Sequence, residues 1–293
     1  MTVSAAPPTV CGMTPALSPS RAADFKQCPL LFRFRTIDKL EGPPSPAAAR
    51  GTLVHAVLEH LFELPAAQRT PTAAAALLEP RWRALVEDRP ELATMVEEDD
   101  ALTEETWLAG ARGLVEQWFG LEDPTRLEPE ARELYVETEI EGLTLRGYVD
   151  RLDVAPDGAM RVVDYKTGRS PGEAFEAKAL FQMKFYALVL WRLRGEVPRM
   201  LQLVYLGNGE VVRYVPDERD LLAVERNVRA IWDAVVRAAR SGDWRPRTSK
   251  LCGWCDFQQF CPEFGGTPPP LPDGAGLIAL DPARSGAASP DDE

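Results

Sequence analysis

Residues 147–166 read Gly147-Tyr148-Val149-Asp150-Arg151-Leu152-Asp153-Val154-Ala155-Pro156-Asp157-Gly158-Ala159-Met160-Arg161-Val162-Val163-Asp164-Tyr165-Lys166. Two apolar runs flank a Pro-Asp-Gly turn, which predicts two antiparallel strands. Alternation sends Asp164 and Lys166 to one face of the second strand and Tyr165 to the other. Asp150 lies near the end of the first strand, so the two carboxylates can converge at one end of a sheet. Paired acids repel unless a cation sits between them. A hard divalent ion with oxygen ligands fits that need. Lys166 could then orient or deprotonate a water while the metal stabilises charge on a phosphate. By themselves the three residues are better explained as solvated strand ends, since Asp-x-Lys is very common.

Outward from this hairpin, Glu133 to Ile140, Leu145 to Val154 and Met160 to Tyr165 read as a three-strand meander. A helix follows over about Ala174 to Leu193. A hairpin, Leu201 to Leu206 and Val211 to Val215, is predicted around Gly207-Asn208-Gly209, and a helix from Asp217 to Ser241 comes next. Upstream, Ser18 or Ser20 caps a helix start. Residues 41–47 read as a Pro-rich loop. Gly51 to Leu64 reads as a helix from the spacing of Leu53, Val57, Leu58, Leu61 and Phe62. Residues 66–132 lack strand signals and read as a helical insertion with an exposed acidic face. The expected organisation is a disordered leader over 1–17, one domain over 18–265 and a disordered acidic tail over 266–293. Strands alternating with helices predict an α/β fold, a mixed sheet with helices on its faces.

The chain has 293 residues and a formal net charge of −12. That charge opposes binding to a polyanion at long range. Much of it is local: Glu87 to Glu105 holds nine acids and one Arg, while Arg21, Lys26, Arg33, Arg35, Arg245, Arg247 and Lys250 form basic sets. No apolar run is long enough for a membrane helix. The N-terminus shows no secretory signal, so a cytoplasmic location is expected. No Gly-x4-Gly-Lys phosphate loop is present, so any ATP-driven unwinding must come from a partner helicase.

The chain has two histidines, and His55 lies one helical turn from Gly51 and from Glu59. As a metal ligand it would favour Mn²⁺ over Mg²⁺; as a lone helical His it fits a surface or core position. Lys178, Gln182 and Tyr186 share one stripe of the later helix. They fit a phosphate-facing row or an ordinary polar stripe. Tyr148, Tyr165, Phe181, Tyr186 and Trp254 could stack on bases, and each also fits a core.

Gly51…His55, Gly147…Asp150, Asp164…Lys166 and Gln182…Tyr186, in this order, resemble the RecB-like exonuclease family of the PD-(D/E)XK nuclease superfamily, in which Glu often stands at the position of Asp164. The resemblance implies a restriction-endonuclease-like core and a Mn²⁺- or Mg²⁺-dependent DNA exonuclease acting on single-stranded ends in repair or recombination. It further implies that His55, Asp150, Asp164 and the Tyr165 carbonyl bind the metal. Lys166 would act in catalysis together with the two aspartates, and Gln182 and Tyr186 would help hold DNA. A CRISPR-adaptation nuclease and a non-catalytic iron–sulfur DNA-binding subunit of a helicase–nuclease complex remain as alternatives.

Cys252-x2-Cys255-x5-Cys261 is a compact thiolate set, one ligand short of a closed site. Cys28 is the candidate fourth ligand, and Cys11 falls in the leader. Spacing alone leaves zinc and iron–sulfur open, and Cys28 also fits a simple buried position. The early-Cys plus late-Cys pattern resembles AddB-type and CRISPR-associated RecB-like nucleases. It implies a 4Fe–4S cluster on Cys28, Cys252, Cys255 and Cys261, stapling the N- and C-terminal segments over 245–264.

Overall fold

The computed structural model describes residues 15–93, 103–170 and 173–280. Cys11, most of the expected leader, residues 94–102 of the acidic run and residues 281–293 of the tail lie outside them. The described chain runs β1 (Ala16–Leu17), α1 (Pro19–Gln27), α2 (Pro29–Phe32), α3 (Pro46–Leu61), α4 (Pro71–Asp88) and α5 (Glu104–Phe119). Then follow β2 (Ala131–Ile140), β3 (Leu143–Val154), β4 (Met160–Lys166), α6 (Glu173–Arg194), β5 (Met200–Tyr205), β6 (Glu210–Tyr214), α7 (Glu218–Ser241) and α8 (Ala275–Leu280). It divides into two compact units. The first comprises Met1–Gly42, Glu137–Arg146 and Asn227–Glu293; the second comprises Pro43–Val136 and Gly147–Arg226.

In the second unit, β3 and β4 pair antiparallel, with Arg151 opposite Val163. β4 and β5 pair parallel, with Asp164 opposite Leu203, and β5 and β6 form the expected hairpin, with Leu203 opposite Val212. A parallel pair needs a long crossover, and α6 supplies it. This is the mixed α/β sheet flanked by helices that the sequence predicts. The β5–β6 turn needs glycine at Gly207, because a Cβ there would stand 2.6 Å from the backbone carbon of Gly168.

Helix α3 begins five residues before its expected start. Ser45 accepts a hydrogen bond from the Ala48 amide and Pro46 takes the first turn. The prolines of this stretch suggested a loop, yet proline is well suited to the first helical position, where no N–H is needed.

The helical segment downstream of α3 is part of the main core. Trp82 of α4 and Trp107 and Trp118 of α5 pack with Leu53, Val57 and Leu61 of α3 and with Val163, Tyr165 and Val204 of the sheet. The Trp82 and Trp107 ring centroids lie 4.3 Å apart. Arg69, buried, donates to the carbonyls of Leu64, Pro124 and Leu127 and pairs with Glu128. One guanidinium therefore gathers carbonyls from two separate stretches of the chain.

In the first unit, Leu17 pairs with Leu145 in a short parallel bridge. Of the two expected caps for α1, Ser18 is the one used, accepting from the Arg21 amide at 3.3 Å. Phe32 stacks on Trp244 at 6.0 Å, and Phe34 packs on Phe257 at 5.7 Å and on Phe260 at 6.1 Å. Aromatic burial thus joins the early helices to the late Cys-bearing segment. Among the described residues no helix is long and apolar enough to cross a membrane.

Candidate active site

Asp150 and Asp164 each stand one step beyond the paired residues Arg151 and Val163, on facing strands. The antiparallel register therefore brings both carboxylates to the same end of the sheet, as alternation predicted. Helices deliver the rest from opposite sides. α3 packs on the face carrying Val163 and Tyr165 and contributes His55. α6 contributes Gln182 to the side of Asp164 and Lys166.

His55 is the hinge of the cluster. Its Nδ1 lies 3.5 Å from Asp150 Oδ2 and 3.8 Å from Glu133 Oε1, and its Nε2 is 3.0 Å from the Tyr165 carbonyl. The Tyr165 amide in turn donates to Asp150 Oδ2 at 2.7 Å. One residue's backbone thus holds both His55 and Asp150. Gln182 spans the other half: Lys166 Nζ donates to its Oε1 at 3.1 Å, and its Nε2 donates to Asp164 Oδ1 at 3.1 Å and to the Tyr186 hydroxyl at 3.2 Å. Lys166 Nζ lies 2.6 Å from Asp164 Oδ2.

The electrostatics follow from crowding three acids around one imidazole. Burial alone would push the His55 pKa down; the nearby Glu133 carboxylate and the charges of Asp150 and Asp164 outweigh it and raise the pKa. Asp150 is raised by burial first and by the like charge of Asp164 second. Burial also opposes the charge on Lys166, but Asp164 overcomes it and keeps the ammonium protonated. In this geometry the Lys166 ammonium donates to Gln182 and pairs with Asp164.

His55, Glu133 and Asp150 offer ligand atoms that all lie within 4.8 Å of one another. They line a cavity of about 10 Å³ with Arg132 and Tyr165, close to the space one water or small ion requires. Asp164 is buried, and its Oδ2 accepts no well-directed hydrogen bond, leaving the Lys166 ion contact to neutralise it. A buried carboxylate beside two further acids and an imidazole fits a divalent cation. Beside this cavity an open groove of about 520 Å³ runs along Ala48, Gly51, Thr52, Ala56 and Glu59 to His55 and Glu133.

Glu133 escaped the sequence reading. β2 also holds Glu137 and Glu139, and no local pattern sets Glu133 apart. Its φ of +43° is a left-handed conformation for a residue with a side chain, a strain that gathers at functional sites. Of the expected DNA-holding residues, Tyr186 is 6% exposed and touches the cluster through Gln182. Lys178 is exposed, and no described contact joins it to the cluster. Of the aromatic candidates, Tyr165, Phe181 and Tyr186 are buried, while Tyr148 and Trp254 are exposed.

The four cysteines line one pocket of the first unit together with Leu31, Phe34 and Leu251. They do not form the compact thiolate set that spacing suggested. Among the described residues no three of their sulfurs lie within 4.8 Å of one another. Short turns at Lys250–Trp254, Gln258–Phe260 and Pro262–Phe264 space out Cys252, Cys255 and Cys261. The Arg247 amide donates to Cys28 Sγ and the Ser249 amide to Cys252 Sγ, both at 3.3 Å. Burial raises the Cys261 pKa, and the charges of Cys28, Cys255 and Cys252 add to it.

Known proteins give this geometry a context. The gene 69 protein of Mycobacterium phage D29 is 27% identical over 278 residues, covering 85% of this chain and 97% of that protein. The gene 69 protein of Mycobacterium phage L5 is 29% identical over 167 residues, 55% of each chain. A crystal structure from Eubacterium rectale, which carries a provisional exonuclease name, superposes with a TM-score of 0.57 at 14% identity. It covers 82% of this chain and 87% of its own, and shows a shared fold. The family model of the PD-(D/E)XK nuclease superfamily matches residues 16–262, a span holding every element from β1 to the last cysteine, and the chain belongs to that superfamily.

Proposed function

We propose that this chain is a RecB-like, divalent-metal-dependent DNA exonuclease acting on single-stranded ends. The observation that carries the reading is the double arrangement around the sheet end. His55, Glu133 and Asp150 form a metal-sized group, and Asp164, Lys166 and Gln182 form a hydrogen-bonded triad beside it. Nucleases of this superfamily use divalent metals. A cation held by His55, Asp150, Asp164 and Glu133, with the Tyr165 carbonyl at hand, would polarise a phosphate oxygen and acidify a bound water. The imidazole favours Mn²⁺ over Mg²⁺.

The chain's own groups do the rest. Gln182 orients the Lys166 ammonium, and Asp164 keeps it charged, so it can stabilise negative charge developing on a phosphate. The Tyr165 amide fixes Asp150, and the groove along α3 leaves an approach to His55. The test is digestion of end-labelled single-stranded DNA with Mn²⁺ by the wild type and by Lys166→Ala. Loss of cleavage with retained DNA binding supports a catalytic role. Equal cleavage by both proteins removes Lys166 from the mechanism, and no cleavage by the wild type favours a non-catalytic DNA-binding subunit.

A second reading concerns the cysteine pocket, for which we propose a 4Fe–4S cluster in preference to zinc. All four thiols line one pocket, and the resemblance of the early-Cys plus late-Cys pattern to iron–sulfur nucleases is what favours a cubane, which seats each thiolate on a different iron. A visible absorption band with about four irons per chain in anaerobically purified protein supports the cluster. One zinc per chain and no colour would overturn it.

A further inference from the structure

We propose that Tyr135 and Tyr148 form a stacking platform for an unpaired nucleobase next to the metal-sized group of His55, Glu133 and Asp150. This deepens the single-stranded nuclease reading and rests on it. Among the described residues of the second unit, Tyr148, at 57% exposure, and Tyr135, at 40%, are the large aromatic side chains left exposed. Their ring centroids lie 5.2 Å apart at a 55° tilt. Tyr148 stands on β3 two residues before Asp150, and Tyr135 on β2 two residues after Glu133. β2 and β3 are hydrogen-bonded neighbours. The Glu133 and Asp150 carboxylates meet across the two strands, and the tyrosine rings meet across them two residues further on. Two residues of extended strand span about 7 Å. The platform is therefore about one nucleotide away from the metal-sized group, on the ribbon that supplies two of its acids.

The chemistry matches the partner. A base in a duplex has its faces covered by its neighbours, whereas an unpaired base offers a π-face to an aromatic side chain. Stacking also answers the charge problem. With a net charge of −12 and with Glu59 and Glu133 lining the groove, phosphate attraction is a poor source of affinity. Ring stacking needs no positive charge. The other role for the pair is plain cross-strand packing that stabilises the hairpin, and the experiment separates the two.

The full-length protein in a Lys166→Ala background, which leaves DNA uncut, is titrated with a single-stranded oligonucleotide carrying 2-aminopurine at successive positions from its end. Anisotropy reports affinity and 2-aminopurine quenching reports stacking. Tyr148→Ala should weaken binding about 5- to 150-fold, the range for one stacked base, and abolish quenching at one position. Tyr148→Trp should retain both, and an abasic residue at that position should erase the difference between wild type and Tyr148→Ala. The slope of affinity against salt should stay unchanged, since no phosphate contact is lost. Unaltered affinity and quenching in Tyr148→Ala, with only a lower Tm, would show hairpin packing alone and overturn the proposal. Cleavage of duplex DNA by the wild type without single-strand binding would overturn the platform and leave the nuclease reading standing. A wild type that neither binds nor cuts DNA would sink both.

Discussion

Replacing Arg151 with Met should destabilise the protein by about 3 kcal/mol, at the lower end of the cost of breaking a buried ion pair. The Arg151 side chain is 1% exposed and its partner Glu122 8%. The guanidinium reaches both Glu122 oxygens at 2.8 Å and also binds Asp153 and the Tyr165 hydroxyl. Without it Asp153 keeps Arg161 at 2.7 Å, so Glu122 is the charge left stranded. Glu122 retains the Trp118 indole N–H at 2.8 Å and the Gln202 amide at 3.1 Å. These and the Tyr165 hydroxyl at 3.5 Å are neutral donors that soften the loss without replacing a cation, which places the cost near the bottom of the range. In a chain of this size that corresponds to a Tm lowered by about 6–12 °C. Urea unfolding followed by tryptophan fluorescence measures it, since Trp118 sits in the network. The double variant Arg151→Met/Glu122→Gln removes both charges and should recover about 2 kcal/mol of the loss. Strict additivity of the two single changes, within about 0.5 kcal/mol, would refute the idea that Arg151 acts by neutralising Glu122. The network also reaches the proposed metal group: Tyr165, whose ring lies under Arg151, holds Asp150 and His55 through its backbone. Mn²⁺ affinity of the single variant should therefore fall even at temperatures where it is fully folded.

Burial alone would raise the Glu122 pKa, but the hydrogen bond and charge of Arg151 hold it below its ordinary value of 4.5. A depressed carboxyl pKa contributes stability above the unfolded value and loses it as pH falls through the folded one. The cost of Glu122→Gln should thus be complete near pH 6–7 and fade below about pH 4.5, as read from urea midpoints across pH. Mn²⁺ at about 100-fold over its Kd should stabilise the native protein by about 2.7 kcal/mol, seen as a higher Tm. Glu133→Gln should weaken that shift, and an identical metal titration would remove Glu133 from the site. Gln182→Leu should lower kcat about 10- to 100-fold, the usual effect of losing a partner that orients an active group, with the Mn²⁺-induced Tm shift preserved. A kcat within two-fold of wild type would show that Lys166 needs no help from Gln182.

What could be read from the sequence alone was what depends on near neighbours along the chain. Period-2 alternation put Asp164 and Lys166 on one face and Tyr165 on the other, and the Pro156-Asp157-Gly158 turn set β3 against β4, so Asp150 and Asp164 met as expected. The order of His55, Asp150, Asp164, Lys166 and Gln182 sufficed to suggest the superfamily. The tertiary structure decided everything that rests on distant partners. His55 reaches the Tyr165 carbonyl across 110 residues of sequence, and Arg151 reaches Glu122 across 29. No local period encodes such pairs. It also decided which of several similar glutamates comes to His55: Glu133 lies 3.8 Å from its Nδ1. Burial was equally a property of the whole: Tyr165 lies between Asp164 and Lys166 and closes the core, while Tyr148 lies between Gly147 and Val149 on the neighbouring strand and is exposed. Tryptophans in a segment read as an added helical piece proved to be the centre of that core, since a side chain's surroundings are set by what folds against it and not by the residues beside it.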